Sequence, residues 1–460
     1  MITSINPATE ERLAEFEPWN ADRVDEAVAG VHEAQRAWGR LSVEERAAPM
    51  RRVAELLRSR VERYGALITS EMGKPIVEAE AEVTKCATAC EHYAEHAARY
   101  LADTPVATES LDSYVAYQPL GTILAIMPWN FPFWQVFRAG VPALMAGNGL
   151  VLKHASNVPQ CALAIEAVFK EAGFPDGLLR TLLIGGADAE RLVDDDRIAA
   201  VTLTGSTEIG GRVASLAAAR IKKQVLELGG SDPYIVLADA DLDYAARTAA
   251  RARNQNNGQS CIAAKRFIVE EAVADEFGRR FADAVRALHV GDPAQRDTNV
   301  GPLARDDLRE ALERQVSESR RLGAEPIVGG VRLNGPGYFY APTILDGVTP
   351  EMPAFREETF GPVAALLRAR DADHAVELAN DTEYGLGAAI WTRDLEGAKG
   401  LARRIEAGSV FVNGIVASDP RMPMGGVKRS GYGRELGWHG IWEFTNVQTV
   451  RVHPAEPPPA

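Results

Sequence analysis

Hydrophobic and polar positions change rhythm about a quarter of the way along the chain. Through the first hundred residues apolar side chains recur at helical spacing, as in RAAPMRRVAELLRSRVERYGALI and KPIVEAEAEVTKCATACEHYAEHAARYL. Ser42 with Glu45 forms a capping box ahead of the first of these runs. From Gly121 onward, short apolar runs (TILAIMP, GLVLKH, LLRTLLIG, AAVTLTG, QVLEL) alternate with the helical segments PQCALAIEAVFKEAG and EIGGRVASLAAAR. That alternation predicts an α/β fold with a doubly wound parallel sheet. A second series, PYIVLADADL, KRFIVEE, ALLRARD, AAIWTRD and SVFVNG, predicts a second such unit.

Composition refines this picture. At 460 residues the chain is too long for one ordinary core. It carries 50 Lys+Arg against 64 Asp+Glu, a net charge of −14, which argues against nucleic acid or an anionic membrane as partner. The opening MITSINPATEERLAEF has neither a basic nor an apolar region of the secretory kind, and no apolar run is long enough to span a bilayer. Four cysteines are too few for a disulfide framework, so a cytoplasmic, reduced protein is expected. Cys86, Cys90, His92 and His96 lie close in sequence, but on a helix the two pairs face apart, so no metal site is expected there.

Candidate chemistry lies in four stretches: MPWNFP (Met127–Pro132), LELGG (Leu226–Gly230), GQSC (Gly258–Cys261) and EETFGP (Glu357–Pro362). Each puts a polar or reactive residue at the end of an apolar run, where α/β sheets build their sites. Singly each is weak, since a lone cytosolic Cys is more often a buried structural thiol. GSTEIG (Gly205–Gly210) is neither a Walker motif nor a GxGxxG fingerprint.

Together, in this order and spacing, these stretches resemble the aldehyde dehydrogenase superfamily. The resemblance runs from INPATEE to MPMGGVKRSGYGRELG and is nearest to the short bacterial succinate-semialdehyde dehydrogenase branch. It implies a cofactor-binding domain over 1–107 and 121–228, a catalytic domain over 229–425, and bridging oligomerisation strands at 108–120 and 440–455 of a homodimer or homotetramer. The Pro-rich tail 456–460 predicts disorder.

The resemblance also assigns roles. Cys261 would be the nucleophile that carries a thiohemiacetal and then a thioester. Asn130 and the Cys261 backbone N–H would hold the oxyanion, and Glu227 would be the base for deacylation. Trp129, Asn130, Lys153, Ser156, Gly205, Ser206, Leu228, Glu358 and Phe360 would line the dinucleotide site, with the pyrophosphate at the Gly205–Ser206 helix start. NAD-preferring relatives often place Glu where this chain has Ser156. A hydroxyl there, near Lys153 and His154, accepts a 2′-phosphate, so NADP is preferred, NAD stays open, and no metal is implied.

Arg138, in the otherwise apolar run FWQVFRAGVPALMAG, would grip the far carboxylate of a short semialdehyde, with a structural ion pair to a protein carboxylate as the alternative. The second Arg that some relatives place six residues before the nucleophile is here Gln255, with Arg421 as a substitute candidate. Glutarate semialdehyde or an uncharged aldehyde therefore stays open as substrate. The second cysteine that allows a disulfide switch in some relatives is missing, since Ile262, Ala263 and Ala264 follow Cys261. A cofactor-independent thiol hydrolase is the rival enzyme, but it leaves the LTGSTEIG and LKHASN segments without a purpose.

Overall fold

The computed structural model describes residues 1–455; the tail 456–460 lies outside the described residues. Two large sheets organise the chain. The first has six strands in the order Gly431–Tyr432, Lys223–Glu227, Ile198–Thr204, Thr122–Met127, Gly149–His154 and Leu179–Thr181. All its pairings are parallel except that of the short edge strand Gly431–Tyr432. The chain enters at Thr122–Met127, winds outward to Leu179–Thr181, then returns to the other side at Ile198–Thr204. This is the doubly wound topology expected, with its switch point between Thr122–Met127 and Ile198–Thr204.

Helices cover both faces, which is why these strands read as continuous apolar runs. Ile123 and Ala125 point into the core formed with the N-terminal helices, while Leu124 packs on the opposite side with Val28, Val31 and Leu203. The second sheet has seven strands, in the order Glu325–Val328, Thr343–Asp346, Val363–Ala369, Ala264–Glu270, Asp232–Val236, Gly387–Trp391 and Ser409–Val412. It too sandwiches its side chains: Ile235 and Ile268 face one core, Tyr234 and Phe267 the other.

The N-terminal region departs from the all-helical expectation. Ile2–Ile5 and Arg12–Phe16 pair as an antiparallel hairpin before the helices Ala21–Trp38, Val43–Ser59, Val61–Met72 and Ile76–Tyr100 begin. The strands are too short to show a period, and only the Asn6-Pro7 turn marks them. The capping box forms as read: Ser42 Oγ accepts from Glu45 N at 3.2 Å, and Ser42 N donates to the Glu45 carboxylate at 2.7 Å. In the last of these helices Cys86 and Cys90 are fully buried, whereas His92 packs edge-on against His96 at 4.6 Å.

A third, small sheet pairs Asp112–Pro119 antiparallel with Thr445–Val452 along their whole length, with Thr104–Pro105 on its other side. Among the described residues the outer edge of Thr445–Val452 is unpaired, and it exposes Val447 and Val452. Among the described residues, no helix is long and apolar enough to cross a membrane.

Candidate active site

Because the first sheet is parallel, its strands deliver their following loops to one edge. Asn130 follows Thr122–Met127, Ser156 follows Gly149–His154, Gly205 and Ser206 follow Ile198–Thr204, and Glu227 closes Lys223–Glu227. Five residues later the chain enters the second sheet at Asp232. That sheet contributes the opposite ends of its strands: Cys261 stands just before Ala264–Glu270, and Glu358 and Phe360 just before Val363–Ala369. The site therefore lies where C-terminal strand ends of one sheet meet N-terminal strand ends of the other.

The loop carrying Cys261 is held by buried polar groups that the sequence did not single out. Lys265 Nζ donates to the carbonyls of Ser260 and Cys261, each at 2.9 Å, and of Ala263 at 3.2 Å. Arg253 donates to Gly258 O at 2.6 Å and Thr359 O at 3.2 Å, and also to Gly361 O, tying this loop to the Glu358–Phe360 loop. Gly258 is required here: its φ is +74°, and a Cβ would come within 2.3 Å of the Gly361 carbonyl carbon. Asn256 and Asn257 also take positive φ. The Asn256 amide reaches Asn130 O at 2.8 Å and Gln259 O at 2.9 Å.

Asn130 arrives from the other side. Its Nδ2 donates to Gln259 O at 3.1 Å, so the amide lies against the backbone two residues before the thiol. Its position is fixed through the next helix, Trp134–Met145, whose first N–H groups from Phe133 and Trp134 bond the buried Glu82 carboxylate at 2.8 and 2.9 Å. A carboxylate at a helix N-terminus also satisfies otherwise orphaned donors. Burial pushes the Cys261 thiol up to about 12, opposed by the nearby charges of Arg138 and Lys265. The resting thiol is therefore protonated at neutral pH and needs a base to become a nucleophile.

Glu227 is 2% exposed, and both its carboxylate oxygens lack a hydrogen-bond partner. Burial pushes its pKa well above the carboxylate range, with Arg138 opposing and Glu435 reinforcing the shift. Arg138 corrects the sequence argument. It is fully buried as expected, but a protein carboxylate supplies its anion: its Nε pairs with Glu435, and its terminal nitrogen lies 3.8 Å from Glu227. The same nitrogen donates to Thr204 Oγ1 at 3.3 Å. The charge is already compensated inside the fold, as a buried guanidinium requires. Glu435 was missed because it lies 297 positions away in sequence, inside the Gly-rich GYGRELG segment.

Arg421 is corrected as well. Its guanidinium points outward, 76% exposed, and closes on its neighbour Asp419 at 2.6 Å. A charge two residues away is its nearest anion, so the loop supplies no second inward cation from this position. Gln255 is also exposed.

The remaining residues lie on the neighbouring strand ends and loops. The Trp129 ring meets the Phe360 ring edge-on at 5.7 Å. Glu358 accepts from Gly230 N at 3.1 Å and lies 3.6 Å from Lys265 Nζ. Burial raises its pKa, with Lys265 opposing. Ser206 caps the helix Thr207–Ala219 through Ile209 N, and Gly205 N donates to Glu227 O at 3.0 Å. That helix approaches closely because Gly210 has no Cβ; one there would sit 2.3 Å from Leu228 Cδ2. In its first turn Thr207 Oγ1 is buried without a partner, and a helix start with spare donors fits a pyrophosphate.

Ser156 is exposed. Lys153 is half-buried and makes no ion pair among the described residues, its pKa lowered by burial. His154 turns inward instead: its Nε2 meets Pro132 O at 2.8 Å while Nδ1 accepts from Ala155 N at 2.8 Å. Burial brings it down to about 4, so it is a neutral brace between the LKHASN and MPWNFP loops rather than an anion receptor.

A half-buried thiol, an amide donor against its loop and a buried carboxyl beside a helix start make a site suited to covalent chemistry beside an anionic ligand. Residues 1–450 match the aldehyde dehydrogenase family, and the chain belongs to that family. Among similar proteins, the Synechocystis sp. (strain ATCC 27184 / PCC 6803 / Kazusa) "Probable succinate-semialdehyde dehydrogenase", NADP(+), is 53% identical over 98% of this chain and 99% of its own length. The Escherichia coli (strain K12) succinate semialdehyde dehydrogenase, NAD(P)+, is 50% identical over 97% of each. The Streptococcus pyogenes succinic semialdehyde dehydrogenase, solved with NADP+, superposes with a TM-score of 0.96 at 36% identity, covering 98% of this chain and all of that one.

Proposed function

We propose that this chain oxidises a short ω-carboxy aldehyde, succinate semialdehyde foremost, to the acid, with NADP preferred and NAD accepted. The observation that carries the reading is the Asn130 amide held against the Cys261 loop, with the buried Glu227 carboxyl, which makes no hydrogen bond among the described residues, acting on the same thiol. The names of the similar proteins support the substrate and cofactor.

Cys261 sulfur adds to the aldehyde carbon, and its proton passes to base or solvent. The carbonyl oxygen takes up negative charge, which the Asn130 amide and the Cys261 backbone N–H stabilise. Such donors contribute about 2.7–4 kcal/mol each in acyl-transfer enzymes. A bound nicotinamide dinucleotide supplies the hydride acceptor that leaves a thioester on Cys261. Glu227, as carboxylate, then takes a proton from a water that attacks this thioester. The C–S bond breaks, the acid leaves, and the thiol is restored. Burial suits Glu227 to the task, since a base titrating nearer neutral pH gains proton affinity. Trp129, Phe360, Glu358, Leu228, Gly205 and Ser206 would hold the dinucleotide. The uncompensated Lys153 beside the exposed Ser156 favours one carrying a 2′-phosphate.

A homodimer or homotetramer is supported by the edge of Thr445–Val452, unpaired among the described residues, since exposed edges of this length are generally covered; sedimentation velocity tests it. The functional reading is tested by kcat/KM for short aldehydes with and without an ω-carboxylate, against NAD and NADP. Succinate semialdehyde with NADP should lead. Equal activity on butanal, or preference for NAD, would overturn the substrate or the cofactor assignment respectively.

A further inference from the structure

With Arg138 engaged by Glu435 and Arg421 turned to solvent, the far carboxylate of a semialdehyde still needs a receptor. The Ile76–Tyr100 helix offers one. Glu82 of this helix fixes the start of the Trp134–Met145 helix through two backbone bonds, and one turn further along stands Lys85. Lys85 Nζ lies 4.4 Å from the centre of the Trp134 ring and donates to Ser418 Oγ at 2.7 Å. Trp134 Nε1 donates to the same oxygen at 3.1 Å. Two donors thus converge on one hydroxyl, which can in turn donate its own proton.

Lys85 makes no ion pair among the described residues, although it is half-buried. Its nearest acidic neighbour in the Ser418 loop, Asp419, is held by the Arg421 guanidinium. Burial first, and then the charge of Arg138, pull the Lys85 ammonium down to about 8. The fold therefore keeps a second cation close to a buried guanidinium with no carboxylate in ion-pair contact, because the nearby Glu82 and Asp419 are engaged by Lys74 and Arg421. Withdrawing an ammonium from water is unfavourable unless a counter-charge arrives. Trp134 stands one turn before Arg138 on the helix that follows Asn130, so Lys85 flanks the element that delivers the Asn130 amide to the Cys261 loop.

We propose that Lys85, set against Trp134 and Ser418, is the specificity residue that receives the distal carboxylate of the aldehyde substrate. Lys85 Nζ and Trp134 Nε1 turn from Ser418 Oγ to the incoming carboxylate oxygens, and Ser418 becomes a third donor. The proposal rests on the semialdehyde reading above and names a receptor for it.

The test uses the full-length enzyme with saturating NADP and reads the ratio of kcat/KM for succinate semialdehyde to that for butanal. Lys85→Met removes the charge while keeping the stem. Lys85→Arg restores a cation, and Lys85→Gln keeps a donor for Ser418, so a Met variant that fails to fold still leaves the ratio measurable. We expect the ratio to fall roughly 30-fold or more in the uncharged variants, as about 2 kcal/mol gives at 1.4 kcal/mol per tenfold. The loss should fall mainly on KM for the semialdehyde, with part of the ratio recovered by Arg. A ratio within about threefold of wild type, whether activity survives or falls equally on both aldehydes, would overturn the assignment of Lys85. A wild-type ratio near one would instead sink the semialdehyde reading itself, before any variant is compared.

Discussion

Two buried carboxyls share one guanidinium at this site, and that arrangement sets the pH at which the enzyme works. Arg138 contacts Glu435 directly through Nε, while Glu227 stands 3.8 Å from its terminal nitrogen. One positive charge balances one carboxylate; burial raises both carboxyls, and Glu435, in direct contact with the guanidinium, competes with Glu227 for it and raises Glu227 further. Glu435→Gln removes the competitor while keeping an acceptor for Thr202 Oγ1, now at 3.4 Å. Like charges roughly 8 Å apart, the span across one guanidinium, repel by about 2 kcal/mol at an effective dielectric of ~20. That corresponds to ~1.5 pKa units at 1.36 kcal/mol each. Arg138 is also freed to turn to Glu227, which acts in the same direction.

The sign follows from the base form being the active one. Glu227 has a raised pKa, so deacylation is present above that value and lost as pH falls through it. In Glu435→Gln the loss should come at a pH about 1–1.5 units lower. Single-turnover hydrolysis of the Cys261 thioester across pH reads this limb directly, and a melting curve reports any damage from loosening Arg138. A limb that stays in place or moves to higher pH would refute the shared-guanidinium account, and would leave Glu435 a purely structural partner.

Cys261→Ala should abolish dehydrogenase turnover while dinucleotide binding, read by fluorescence quenching, persists; more than trace turnover excludes the covalent route. Glu227→Gln should acylate and then stall, giving a burst of reduced cofactor and an acyl adduct on Cys261 by mass spectrometry. Absence of the adduct would move Glu227 to thiol activation. Ser156→Glu should weaken NADP far more than NAD, because a carboxylate there repels a 2′-phosphate of roughly −1.5 to −2 charge; equal losses in Kd for the two dinucleotides would remove Ser156 from the 2′-phosphate site.

The α/β class, the two series of strands and the stretches that carry Cys261, Glu227 and Asn130 were legible along the chain. These follow from local rules. A strand buried on both faces must be apolar throughout, a helix start needs its cap, and a reactive residue at a strand end interrupts the apolar run that delivers it. The hairpin at Ile2–Phe16 escaped because strands of four or five residues show no period.

Tertiary structure alone decided what surrounds the reactive groups. Lys265 and Arg253 read as ordinary charges, yet fully buried they bind the carbonyls of the nucleophile loop. Arg138 was legible as a buried cation that must have an anion, but which anion was not. Glu435 reaches it from the far end of the chain, and only folding brings the two together. Lys85 is the converse case. On a helix it is one lysine among polar neighbours, and it becomes conspicuous only when packing leaves it half-buried against Trp134 without a counter-charge. Charge compensation acts through space, so spacing along the chain does not encode which charges will meet.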